Sequence, residues 1–87
     1  MSEIKFNPRW REELVATSNE GVLIFELTMG TYHVYFPDEN RWRVHVPDWA
    51  KEKWQLYLTA CTDWCSQNKI PISIVNDALV YEEKNSQ

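Results

Sequence analysis

Glu26, His33 and His45 are the residues of this chain whose types could carry chemistry, and they include both of its histidines. Two imidazoles and a carboxylate have the donor types for zinc or non-haem iron. The same groups suit proton transfer near neutral pH. Their spacing along the chain matches no metal-ligand pattern, so only the fold can bring them together. Tyr35, Arg41 and Arg43 form a second set. Guanidinium groups suit two-point contacts to carboxylate or phosphate, so this set fits an anionic small molecule or the acidic surface of a partner.

The elements that would position these residues are read from alternation. Leu23, Phe25 and Leu27 alternate with Ile24, Glu26 and Thr28. Tyr32, Val34 and Phe36 alternate with His33 and Tyr35. Trp42, Val44 and Val46 alternate with Arg41, Arg43 and His45. Period-two patterns of this kind predict three half-buried strands. A tight turn at Met29-Gly30 pairs Leu27 with Tyr32 and Phe25 with Val34. A turn at Asp38-Glu39-Asn40 pairs Val34 with Val44 and Phe36 with Trp42. In that register Glu26 faces His33 and His33 faces His45, with Tyr35 and Arg43 in the next row. The plainer reading, preferred here, is ordinary pairing: Glu26 with His33, and Arg43 stacked on Tyr35.

Around this meander the chain reads as follows. Residues 1–6 form a loose start or an edge strand. Asn7-Pro8 resembles a helix start, and Trp10 and Leu14 share one face, which predicts a short helix over Pro8 to Val15. The rival reading continues Leu14 to Thr17 as a strand into a hairpin through Ser18-Asn19-Glu20-Gly21. Pro47-Asp48 opens the longest helix, to about Asn68. Its core arc holds Ala50, Trp54, Tyr57, Leu58, Cys61, Trp64 and Cys65, with Trp49 and Leu56 on the opposite, exposed side. Ile70, Ile72 and Ile74 predict a fourth strand, Leu79 to Glu82 a last one, and residues 83–87 a frayed tail.

Composition narrows the function classes. The chain has 87 residues, enough for one domain, and a net charge of −4. That charge argues against general nucleic-acid binding. The triplets Arg9-Trp10-Arg11 and Arg41-Trp42-Arg43 can stack bases and grip phosphate, but both tryptophans fall at expected core positions. No apolar leader follows Met1 and no run is long enough to span a membrane. A cytoplasmic location with reduced cysteines is therefore expected. Cys61 and Cys65 stand one helical turn apart, poor geometry for a disulfide and too few ligands for zinc. No phosphate loop, HExxH pattern or nucleophile triad occurs, and no cofactor or metal is expected.

The expected fold is α+β: a small antiparallel meander of three strands with one or two C-terminal strands, one long helix across its apolar face, and a possible short N-terminal helix. The expected function is a small non-enzymatic interaction protein that binds a protein partner or a second copy of itself. Its candidate contacts are Glu26, His33, Tyr35, Arg43, His45, Trp49 and Leu56. The alternative is a ligand- or metal-binding domain, or a minor enzyme, built on the Glu26–His33–His45 row.

Overall fold

The computed structural model describes residues 3–10 and 12–83. The chain folds as α+β, with one six-stranded, mostly antiparallel sheet and a helical layer on one face. The strands are β1 (Lys5–Arg9), β2 (Glu13–Thr17), β3 (Val22–Thr28), β4 (His33–Pro37), β5 (Ile72–Val75) and β6 (Val80–Glu83). Between β4 and β5 run α1 (Glu39–His45), a 3-10 segment (Asp48–Lys53) and α2 (Trp54–Gln67).

The N-terminal helix expected over Pro8 to Val15 is not formed. Phe6, Leu14 and Ala16 alternate inward, and β1 pairs antiparallel with β2. Pro8 is tolerated because β1 is an edge, where a strand can lack one amide donor. The rival hairpin through Ser18 to Gly21 is the observed one, closed by the Ser18 amide donating to the Gly21 carbonyl at 3.0 Å.

The expected third strand is also replaced, by α1. The Asp38 carboxylate accepts from the Arg41 amide at 2.9 Å and caps the helix N-terminus. Trp42 and Val46, four residues apart, are both buried, whereas Val44 between them is 73% exposed. Alternation over Arg41 to Val46 satisfied a strand pattern, but only its every-fourth members reach the core.

The edge of β4 expected to carry that strand carries β5 instead, and the edge of β3 away from β2 is shared. β4 pairs with the second half of β3 and β6 with the first half, end to end. β5 lies outside β4 and runs parallel to it. The β3–β4 register differs from the expected one by two residues: Leu27 faces Val34, Glu26 faces Tyr35 and Thr28 faces His33. A slip of two keeps each side chain on its face.

The core lies between the sheet and the helices. Phe25 stacks on Phe36 at 5.0 Å and on Trp42 at 6.0 Å, and Tyr57 closes the cluster against Trp42 at 5.4 Å. The Trp42 indole N–H donates to the Ala50 carbonyl at 2.8 Å, so burial strands no donor. On α2, Tyr57, Cys61 and Cys65 are buried, and Trp54, Leu58 and Trp64 pack against the core edge, in agreement with the expected arc. The helix ends with Lys69 at φ 59° and the Ile70 amide returning to the Cys65 carbonyl at 2.9 Å. Glu83 belongs to β6, and residues 84–87 of the expected frayed tail lie outside the described residues.

Candidate interaction surfaces

The predicted row of Glu26, His33 and His45 is not assembled. His45 is the exposed last residue of α1, remote from the β3–β4 pairing. Glu26 faces Tyr35, and its carboxylate accepts from the Leu79 amide at 3.2 Å. His33 stacks on Tyr35 with ring centres 4.4 Å apart, and its Nε2 lies 2.8 Å from the Ser73 hydroxyl. Three of the expected contacts, Glu26, His33 and Tyr35, thus remain neighbours on the sheet face away from α2. Among the described residues no group of three or more metal-ligating side chains converges.

The remaining candidates are dispersed. Arg43 is on α1, paired with Glu52 at 3.2 Å and Glu39 at 3.4 Å, and does not stack on Tyr35. Those two carboxylates raise its already high pKa, Glu52 most. Arg41 turns instead to the Ala78 carbonyl, tying α1 to the approach of β6. Trp49 is half-buried rather than exposed. Its indole donates to Glu82 at 3.2 Å, and its ring lies so near Gly21 that a Cβ there would stand 2.6 Å away. Leu56 is 50% exposed on α2, as expected.

Part of the sheet face away from α2 is closed by the chain itself. Ile24 on this face is fully buried. Arg9 on β1 reaches Glu83 on β6 at 2.9 Å, and the Tyr81 hydroxyl on β6 donates to Glu13 on β2 at 3.0 Å. Both links cross β3, on which Ile24 lies opposite Val15 and Tyr81. Glu83 first and Glu13 second hold the Arg9 guanidinium charged far above neutral pH. Burial first, then Glu13, pushes the Tyr81 phenol upward.

A different end of the molecule presents the most exposed aromatic group. Trp10, at the β1–β2 tip, is 79% exposed. It borders an open cleft of about 520 Å³ lined by Trp10, Glu12, Met29 and Gly30. Glu12 (φ 64°) joins the two loops that form the cleft: its carbonyl accepts from the Leu27 amide at 3.1 Å and its carboxylate from the Met29 amide at 3.4 Å. The Thr28 hydroxyl, donating to the Thr31 carbonyl at 2.8 Å, braces the second loop. Helical spacing with Leu14 had assigned Trp10 to a core. The rival reading, a strand from Leu14 to Thr17, frees Trp10 from that helix, but the β1–β2 pairing is what puts it at a tip.

Among the described residues no helix is long and apolar enough to cross a membrane. No known protein family, curated protein or solved structure matches the chain.

Proposed function

We propose that this protein is a small non-enzymatic interaction domain that engages another polypeptide through the Trp10 end of its sheet. The observation that carries the reading is the exposure of Trp10 over the Glu12–Met29–Gly30 cleft. Tryptophan is the residue type most enriched where binding energy concentrates. The cleft combines an apolar wall with one carboxylate, on a chain of net charge −4. It suits an aliphatic or aromatic side chain flanked by lysine or arginine. The same acidity weighs against a nucleic-acid partner. Self-association is part of the reading, and the two reduced, buried cysteines support a cytoplasmic location.

A photo-reactive phenylalanine analogue placed at position 10 tests this in cells, with the exposed helix position 62 as control. The expected result is a discrete adduct with a polypeptide from position 10 and none from position 62. Equal labelling from both positions, or adducts with nucleic acid alone, would overturn the reading.

A further inference from the structure

The two outer edges of the sheet are built differently. β1 carries Lys5, Pro8 and Arg9, devices that discourage another strand from pairing. β5 reads Ile72-Ser73-Ile74-Val75, without charge or proline, and ends the sheet order on its side. The direction of its backbone groups follows from two bonds. The Val34 amide donates to the Pro71 carbonyl at 2.9 Å, and the Asp38 amide to the Val75 carbonyl at 3.0 Å. Residues 71, 73 and 75 therefore face β4. Backbone direction alternates along a strand, so the amides and carbonyls of Ile72 and Ile74 face outward. The Ile74 side chain is 49% exposed beside them.

We propose that β5 pairs antiparallel with β5 of a second copy of this chain, about a two-fold axis through Ser73, joining two sheets into one. This deepens the self-association part of the function proposed above and rests on it. In this register each Ile72 exchanges both of its outward backbone bonds with Ile74 of the other copy. Ile72 and Ile74 side chains also become direct cross-strand neighbours on the apolar face.

Alternation also allows registers centred on Ile72 or on Ile74. Charge separates the three. Counted outward past the ends of β5, only the Ser73-centred register sets Lys69 at the position of Asp77 of the second copy, twice by symmetry. Both residues are exposed, and neither has an ion pair within the described chain. Centred on Ile72, Lys69 meets Val75; centred on Ile74, it meets Leu79. An interface of so few residues falls below the usual size of stable complexes, so the dimer is weak and concentration-dependent.

Analytical ultracentrifugation at low salt, from about 5 to about 500 µM, covers the range expected for so small an interface. The wild-type mass should rise toward that of a dimer at the upper end. Ile74→Lys should remain monomeric with an unchanged near-ultraviolet spectrum. Lys69→Asp and Asp77→Lys should each weaken the dimer by about tenfold or more, because two attractive pairs become repulsive. An equimolar mixture of these two variants should restore it, since position 69 of each chain then faces the opposite charge at position 77 of the other. That rescue stands even if Ile74→Lys fails to fold.

A wild-type chain that stays monomeric at the upper concentration overturns the proposal. So does a mixture that associates no better than its components. Trp10→Ala should dimerise like the wild type. If it abolishes association while the β5 variants do not, the dimer forms through the Trp10 end, and the pairing falls while the interaction reading survives.

Discussion

Cys61 and Cys65 show how burial decides what a reactive group can do. They are 0% and 1% exposed, consecutive turns of α2 against the sheet. The hydrogen bond between them first, and burial second, push the Cys61 thiol well above its ordinary value, while the same bond holds the Cys65 thiol below it. The folded chain then keeps a proton that the unfolded chain releases above about pH 9, so stability falls as pH rises through that region. The urea midpoint should drop above about pH 9, and replacing both thiols, Cys61→Ala together with Cys65→Ala, should flatten the drop. An unaltered slope in that variant would assign the effect elsewhere. Burial raises the Tyr57 phenol likewise, which adds further loss at still higher pH. Gly21 supplies a steric case. An added Cβ would meet the Trp49 ring at 2.6 Å, so Gly21→Ala should cost about 1–3 kcal/mol by overpacking. Unchanged stability on urea denaturation would mean that Trp49 is free to swing outward, as its expected contact role requires.

Among the elements, α1 is the one held at its start by a side-chain cap. Asp38 accepts the Arg41 amide, Glu39 stands in the first turn, and Arg43 and His45 stand in the last, where they complement the helix dipole. Asp38→Ala should therefore cost about 1 kcal/mol, and Asp38→Asn much less. Differential scanning calorimetry of the two variants separates the cap from any loss of negative charge. Equal destabilisation by both would point to charge. The cap was visible in the residues Asp38-Glu39-Asn40-Arg41, but the same residues make a good hairpin turn, and the alternation that follows favoured the strand.

At the scale of the whole molecule, one face of the sheet is covered by helices and part of the other by side chains of its own strands. Ile24 lies on the second face and is nonetheless fully buried. Ile24→Ala should cost about 2–4 kcal/mol, as for a core position. Trp10→Ala, at a site that is 79% exposed, should stay within about 0.5 kcal/mol of wild type. Urea denaturation of the two variants side by side checks the contrast. A large loss for Trp10→Ala would make that ring a structural support and weaken its role as a binding anchor.

The residue pattern by itself determined the α+β class, the strands around Phe25 and Val34, the core arc of α2 and the two C-terminal strands. Each rests on periodicity within one segment, and burial rewards that periodicity wherever the segment docks. Tertiary structure alone decided three things. It chose a helix for Glu39–His45, because Trp42 and Val46 reach the aromatic cluster together only at helical spacing. It placed β5 beside β4, in the room the expected third strand would have filled, and set β6 against β3. It separated His45 from His33 by putting His45 on that helix, and left Trp10 at the exposed tip of the β1–β2 hairpin. Juxtapositions across strands depend on register and strand order, and these are set by competition between distant segments for the same hydrogen-bonding edge.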